Sequence, residues 1–216
     1  LFQTRFDPAL EAGARQAGQA ALAARILAAL DDVEQLNEDQ ILRSYLALIR
    51  GTLRTNFFQR EADGEPKSYL SFKFDCAALP NMPRPVPMFE IWVYSPRVEG
   101  VHLRGGGVAR GGIRWSDRRD DFRTEILGLM KAQRVKNAVI VPTGAKGGFY
   151  PKQLPDPVRD RESWLAEGKA SYQVFIRTLL SVTDNIVDGR VVHEGDLFDS
   201  ACRWLLPECW WQGEPL

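Results

Sequence analysis

The chain has 216 residues, of which 44% are hydrophobic and 26% are charged, a composition typical of globular proteins with a substantial core. Its 28 basic and 28 acidic residues cancel, so no net charge attracts the chain to nucleic acid or to a membrane surface. No apolar run approaches the roughly 20 residues that a membrane-spanning helix needs, which argues against a membrane partner as well.

The cysteines and the first residues indicate the cellular compartment of the protein. Cys76, Cys202 and Cys209 lack C-x-x-C spacing, and with two histidines in the chain they do not outline a metal site, so we expect reduced thiols. The first residues lack the basic segment and apolar core of a signal peptide, and we predict a cytoplasmic protein. Because the chain begins with Leu1 and not with methionine, we expect it to be an excerpt of a longer protein.

The first part of the chain predicts two helices within residues 8–53, which are rich in Ala, Leu, Arg and Glu. In the second helix, apolar side chains recur on one face behind the candidate cap Asn37. That face consists of Ile41, Tyr45, Leu48 and Ile49. We assign residues 1–60 to an N-terminal helical segment.

Four stretches then predict β-strands. Leu70, Phe72 and Phe74 alternate with polar residues, which is the period of a half-buried strand. The stretches MFEIWVYSP, from residue 88, and GVHLRGG, from residue 100, predict two further strands. The run NAVIVP, residues 137–142, is apolar on both faces and therefore predicts a central strand.

A helix is predicted between GVHLRGG and NAVIVP. Either Ser116 or Asp117 can cap it, and apolar side chains follow at helical spacing. These side chains are Phe122, Ile126 and Leu129. A strand, a helix and a buried strand in succession indicate an α/β layer.

A last long helix is predicted over residues 164–187. Its core-facing side chains are Tyr172, Ile176, Leu179 and Val182. We therefore predict an α/β fold, a mixed sheet with helices packed on it and preceded by N-terminal helices, and assign residues 61–192 to the α/β domain. Residues 193–216 are rich in tryptophan without helical or strand period. We interpret them as an atypical tail, either frame-shifted, which we prefer, or genuine.

Glycines surround two cations in the middle of the chain. Arg110 lies between Gly107 and Gly111, and Lys146 lies between Gly144 and Gly147. Glycine permits tight turns and close approach of a ligand to the backbone, so we predict that Lys146 lies in a glycine-rich turn. Neither stretch has the G-x-G-x-x-G pattern or the P-loop spacing, which argues against a phosphate cradle.

Each cation alone is compatible with a solvated surface turn. Together with Lys136, however, Arg110 and Lys146 surround one apolar run, and α/β proteins place ligands at strand ends. The set predicts a site for a small dianionic substrate.

Residues 89–152, which include ARGGIRWSD, QRVKN and PTGAKGG, closely resemble the catalytic region of the large bacterial NAD-specific glutamate dehydrogenases. They are similar, more distantly, to the compact glutamate dehydrogenases, whose substrate domain carries K-G-G-[IL]-R, Q-x-x-K and G-G-A-K-G-G. The resemblance extends over about residues 1–192 and implies a glutamate dehydrogenase-like substrate-binding domain. It implies oxidative deamination of L-glutamate to 2-oxoglutarate and ammonia with NAD, by a protein that is a homo-oligomer when complete.

The resemblance also implies residue roles. Arg110 stands where the compact enzymes have a lysine for the side-chain carboxylate of glutamate. Gln133 and Lys136 match the pair that holds the α-carboxylate, and Lys146 matches the catalytic lysine. Lys136 is nearer to Lys146 than the compact spacing, which makes Arg134 a rival for the α-carboxylate, but the order Q-x-x-K-N favours Lys136.

These residue types suit the implied reaction. Two cationic anchors orient a dicarboxylate for hydride removal at its α-carbon, and a lysine can donate a proton or stabilise a developing oxyanion. The family's proton-shuttling aspartate and Rossmann-type domain do not appear in this sequence, so we expect NAD to bind a downstream domain absent from this chain. The chain alone is then expected to be inactive. The competing interpretation is a non-catalytic binding or assembly module with the same fold.

Overall fold

A computed structural model describes the backbone of residues 1–136, 143–187, 190–193 and 196–197, and the side chains of residues 1–133 and 143–184. The helices in these ranges are α1 (Phe2–Phe6), α2 (Ala12–Leu30), α3 (Leu36–Gly51), α4 (Phe122–Lys136) and α5 (Arg161–Leu180). The strands are β1 (Thr52–Thr55), β2 (Leu70–Asp75), β3 (Phe89–Tyr94), β4 (Val98–Arg104), β5 (Ile113–Trp115), β6 (Ala145–Pro151), β7 (Asp184–Val187), β8 (Arg190–His193) and β9 (Asp196–Leu197).

Seven of the described strands form one sheet, in the order β5-β6-β4-β3-β2-β1-β9. Neighbours are antiparallel except β5 and β6, which are parallel. Strands β7 and β8 form a separate antiparallel pair. A mixed sheet with helices confirms the predicted α/β fold, and the MFEIWVYSP and GVHLRGG predictions are confirmed as β3 and β4.

Helix α4 connects the parallel strands β5 and β6 and packs on one face of the sheet. Its Ile126 and Met130 are fully buried in one cluster with Val101 and Leu103 of β4. Gly148 of β6 lies under this helix, and a Cβ added there would overlap Ile126. The predicted helical period is therefore confirmed, because removal of one apolar stripe from water stabilises the helix on the sheet.

Helix α5 packs on the opposite face of the same strands. Phe175 and Leu179 are buried in one cluster with Val93, Val98 and Phe149. The sheet between α4 and α5 is thus covered on both faces, which is why β4 has five successive buried residues from Gly100 to Arg104.

Strand β2 has the two-residue period predicted for it. Leu70, Phe72 and Phe74 are half-buried on one face. On the other face, Ser71 and Lys73 are 0% and 4% exposed. The pattern is confirmed, but the more deeply buried face is the polar one.

The predicted cap of α3 is wrong. The helix begins at Leu36 with Gln35 in the cap position, so Asn37 lies inside its first turn. Ile41 and Tyr45 of the predicted apolar face are 55% and 62% exposed. Apolar spacing located the helix, but it did not decide what this face contacts.

The predicted caps of α4 are also wrong, because the helix begins at Phe122, beyond both Ser116 and Asp117. The Ser116 hydroxyl instead donates to the Glu125 carboxylate in the first turn, at 2.6 Å. Ser116 is fully buried and ties the end of β5 to α4.

The last predicted helix is too long. Helix α5 ends at Leu180, and residues 184–187, predicted as helix, form strand β7. Leu179 and Val182 are buried as predicted and Ile176 is half-buried, whereas Tyr172 is 43% exposed and does not face the core as predicted. The β-branched residues near the end of the stretch favour extended backbone, which accounts for the early end of the helix.

The division into 1–60, 61–192 and 193–216 stays a prediction. Strand β1 precedes the boundary at residue 60 and pairs with β2 beyond it. Of the residues after 193, the structure describes Asp196–Leu197, which pair with β1.

Candidate functional site

Lys146 lies in a strand and not in the glycine-rich turn predicted from the sequence. It is the second residue of β6, and its backbone pairs with Leu103 of β4. The neighbouring Gly147 is needed for close packing, since an added Cβ would stand 2.5 Å from Cδ1 of Ile113. The glycine here leaves room for a side chain from an adjacent strand, and pairing with β4 and β5 on both sides makes this stretch extended.

Arg110 lies beside the start of β6. Its backbone forms a parallel bridge with Gly144, and its carbonyl accepts the N–H of Ala145 at 2.9 Å. Its own N–H donates to the Thr143 carbonyl at 3.4 Å. The bridge to Gly144 brings Arg110 to within two residues of Lys146 along β6.

Arg110 and Lys146 belong to the same face of the sheet. Alternate residues of a strand share a face, so the partner of Gly144 shares the face of Lys146, about 7 Å further along β6. The Lys146 side chain extends over Gly112, because a Cβ built on Gly112 would stand 3.9 Å from Lys146 Nζ. The Arg110 side chain is exposed, and that of Lys146 is half-buried.

Helix α4 begins near the C-terminal end of β5, away from Arg110. Glu125 in its first turn accepts hydrogen bonds from Ser116 at 2.6 Å and from Arg114 at 3.2 Å, both near the end of β5. The helix therefore runs back toward the start of β6, as a helix between two parallel strands does.

Gln133 lies in the C-terminal part of α4 and is half-buried. It is about 10 Å along the helix from Ile126, which contacts the Gly148 position. Ala145 lies three residues before Gly148 in β6, which is also about 10 Å along the strand. The helix direction therefore brings Gln133 to the level of the Arg110 bridge.

Lys136 is the last residue of α4. Its side chain, the side chain of its rival Arg134 and the strand predicted over 137–142 lie outside the described residues. The roles of Arg110, Gln133, Lys136 and Lys146 stay predictions. A guanidinium, an ammonium and an amide at one end of a sheet are groups that can bind a small dicarboxylate.

The opposite face of β4 carries a neutral histidine that the sequence did not single out. His102 is 6% exposed, and its backbone pairs with Gly147. Burial, and next the charge of Arg104, lower the pKa of His102 to about 4. The residue is therefore uncharged at neutral pH and adds no positive charge to the sheet.

Other groups bear on the sequence predictions. Cys76 is a free thiol, and its burial raises its pKa to about 12; Cys202 and Cys209 lie outside the described residues. Within the described ranges, we find no group of three or more His, Cys, Asp or Glu side chains placed to hold a metal ion. No helix of the described part is long and apolar enough to cross a membrane.

Comparison with known families identifies the domain. The family model for the catalytic domain of bacterial NAD-glutamate dehydrogenase matches residues 25–201. The chain belongs to this family. The match covers α4, β5 and β6 and the residues predicted to bind glutamate, and it confirms the family that the ARGGIRWSD and PTGAKGG segments indicated.

Long relatives support the same family. The chain is 61% identical over 194 residues to the NAD-specific glutamate dehydrogenase of Pseudomonas aeruginosa, which covers 89% of this chain and 12% of that relative. The protein of the same name from Halomonas elongata is 58% identical over 197 residues, or 91% of this chain and 12% of the relative. The Mycobacterium tuberculosis protein is 53% identical over 191 residues, or 86% and 12%. The chain thus spans about an eighth of the length of these relatives.

Proposed function

We propose that this chain is the substrate-binding part of an NAD-linked glutamate dehydrogenase, which converts L-glutamate to 2-oxoglutarate and ammonia. The observation that carries the proposal is the position of Lys146, whose Nζ lies over Gly112 on the face that Arg110 shares. The names of the relatives support the reaction and the cofactor.

Arg110 binds the side-chain carboxylate of glutamate in this proposal. Its planar guanidinium can donate two parallel hydrogen bonds to one carboxylate, and its exposed side chain is accessible to a substrate. Gln133 and Lys136 hold the α-carboxylate from the end of α4. Anchors on two different elements restrict the substrate to one orientation, which lowers the entropic part of the barrier.

Lys146 acts at the α-carbon. Oxidation of glutamate produces an imine, which takes up water and then releases ammonia to leave 2-oxoglutarate. A protonated Lys146 can donate a proton in these steps or stabilise the oxyanion that develops. Its half-buried position excludes part of the solvent, which strengthens both effects.

The described residues do not fit NAD. A dinucleotide-binding turn leads from a strand into a helix, with glycines at the turn. Here one glycine-rich segment links β4 to β5, and the other lies at the start of β6. We therefore propose that NAD binds a separate, downstream domain, and that this chain alone does not catalyse the reaction.

The assembly is also part of the proposal. We propose that the complete protein is a cytoplasmic homo-oligomer, since symmetric homo-oligomers are the commonest assemblies of soluble proteins. Size-exclusion chromatography with light scattering tests this statement, and a monomer across the working concentration range would contradict it.

A thermal-shift titration separates the enzyme from a non-catalytic module of the same fold. A full-length family enzyme that carries this sequence should be stabilised by L-glutamate and by 2-oxoglutarate, since a ligand that binds the native state raises its stability. Arg110→Ala should abolish the shift, whereas Arg97→Ala, at the residue immediately before β4, should retain it. If neither ligand raises the melting temperature of the unsubstituted enzyme, the chain is a binding or assembly module.

The inactivity of the chain alone has its own test. The purified 216-residue chain should form no NADH from glutamate and NAD. Sustained NADH formation would place the cofactor site within this chain and contradict the downstream domain.

A further inference from the structure

The side chain of Arg104 holds the turn of residues 105–109, which leads to Arg110. It is the last residue of β4 and is 6% exposed. Its Nε donates to the Gly106 carbonyl at 2.9 Å, and its Nη2 donates to the Gly107 carbonyl. Hydrogen bonds from a charged donor are roughly twice as strong as neutral ones, so a buried guanidinium fixes these two peptide units firmly.

Thr143 holds the next peptide unit of the same turn. Its hydroxyl donates to the Val108 carbonyl. Its side chain also packs on the turn, because a Cβ added to Gly106 would stand 2.7 Å from Thr143 Cγ2. Three successive carbonyls, those of Gly106, Gly107 and Val108, therefore each accept a hydrogen bond from a side chain outside the turn.

The two ends of the turn are fixed to the same residue of the chain. The N–H of Gly105 donates to the Gly144 carbonyl at 2.9 Å, and Arg110 bridges to Gly144. The turn between these points contains Gly106 and Gly107, whose backbones have unusually large conformational freedom when they are not held. The side chains that hold the turn therefore add to the backbone bridge in fixing the place of Arg110.

We propose that Arg104 and Thr143 are positioning residues that set the place of Arg110 and thereby the affinity for the distal carboxylate of the substrate. The inference rests on the proposed function, in which Arg110 binds that carboxylate. Arg104 and Thr143 act on the substrate through Arg110 and not by contact. A misplacement of about 1 Å at a binding group can cost up to about 10²-fold in rate, so the grip on the turn is expected to matter.

The first experiment is steady-state kinetics of Arg104→Met in the full-length enzyme. The KM for glutamate should rise about tenfold, which is equivalent to one lost charge-assisted contact. The KM for NAD should stay within about twofold, and kcat should fall less than the glutamate KM rises, because an anchor for the substrate acts in ground and transition states alike.

A double-mutant cycle shows whether Arg104 acts through Arg110. Arg104→Met should raise the glutamate KM when Arg110 is present and should add little in the Arg110→Ala background. If the two effects simply multiply, Arg104 does not act through Arg110, and the inference fails while the proposed function stands. If Arg110→Ala leaves the glutamate KM unchanged, the proposed role of Arg110 fails, and the positioning role fails with it.

Matched variants control for damage to the fold. Arg97→Met removes the arginine immediately before β4, at the end opposite Arg104, where it pairs with Glu167 at 2.6 Å, and should leave the glutamate KM unchanged. Thr143→Val removes the hydroxyl and should raise the glutamate KM, whereas Thr143→Ser retains it and should restore the parent value. If Arg104→Met does not fold, the Thr143 pair decides, and equal KM values for the valine and serine variants overturn the proposal.

Discussion

Gly112 lies within van der Waals reach of the Lys146 ammonium: a Cβ built on Gly112 would stand 3.9 Å from Lys146 Nζ. Its neighbour Gly111 has no room for a side chain, because a Cβ built there would overlap the carbonyl oxygen of Ala145. Two adjacent glycines thus have different surroundings. Gly111 lets the Arg110 segment approach β6, whereas a methyl group on Gly112 would make ordinary van der Waals contact with the lysine.

Gly111→Ala should destabilise the enzyme, and Gly112→Ala should not. The backbone of Ala145 cannot move without disturbing β6, so we expect Gly111→Ala to lose at least about 1 to 3 kcal/mol, the usual cost of overpacking. Thermal unfolding followed by circular dichroism measures the difference between the two variants. Equal melting temperatures would show that the Gly111 segment is not packed as described.

Lys146→Ala should lower kcat by about 10² to 10⁴, the usual contribution of a positioned acid or base. Lys146→Arg keeps the positive charge, but a guanidinium does not deprotonate near neutral pH. This variant should therefore be inactive if Lys146 transfers a proton. The measurement is steady-state kinetics of both variants, with folding checked by circular dichroism. A near-normal kcat for the arginine variant would reduce Lys146 to an electrostatic role, and a near-normal kcat for the alanine variant would end its catalytic assignment.

Arg110→Ala should weaken glutamate much more than NAD, since a charge-assisted contact contributes roughly 1.5 to 3 kcal/mol. Arg114→Ala is the matched control. Arg114 lies in β5, and its half-exposed side chain pairs with Glu125 at 3.2 Å, so its loss should leave the glutamate KM unchanged. An effect of equal size in both variants would assign the Arg110 result to general loss of charge.

Lys136→Ala and Arg134→Ala together decide which cation holds the α-carboxylate. We expect the lysine variant to raise the glutamate KM with a smaller change in kcat, because it binds substrate and transition state alike. The arginine variant should retain the parent KM. The opposite outcome would move the α-carboxylate anchor from Lys136 to Arg134.

His102 should make the fold less stable in acid. Burial lowers its pKa from the ordinary 6.5 to about 4. In the unfolded chain the histidine is protonated below about pH 6.5, whereas in the folded chain it is protonated only below about pH 4. Stability is therefore complete above pH 6.5 and falls between 6.5 and 4, by an amount on the order of 3 kcal/mol. His102→Gln should show a flatter profile of melting temperature over this range. Parallel profiles for the two proteins would remove His102 from the acid response.

The sequence by itself determined the features that depend on local period and on residue order. Phe122 and Ile126 recur at the helical spacing of α4, and Leu70, Phe72 and Phe74 alternate as β2 does, because these periods follow from backbone geometry alone. The order of ARGGIRWSD, QRVKN and PTGAKGG was enough to indicate the family.

Tertiary structure decided the features that depend on partners distant in sequence. Ser116 is a residue type that often caps helices, but its hydroxyl donates a hydrogen bond to the Glu125 carboxylate instead. Local sequence rules do not predict that partner. The GAKGG stretch has low intrinsic preference for a strand, yet β4 and β5 pair with it on both sides and make Lys146 part of a sheet. Arg104 precedes three glycines in the sequence, which was the available signal for it. Its hydrogen bonds to the carbonyls of Gly106 and Gly107 form only because the turn folds back over the end of β4. Strand pairing and side-chain hydrogen bonds are non-local, so local propensity cannot specify them.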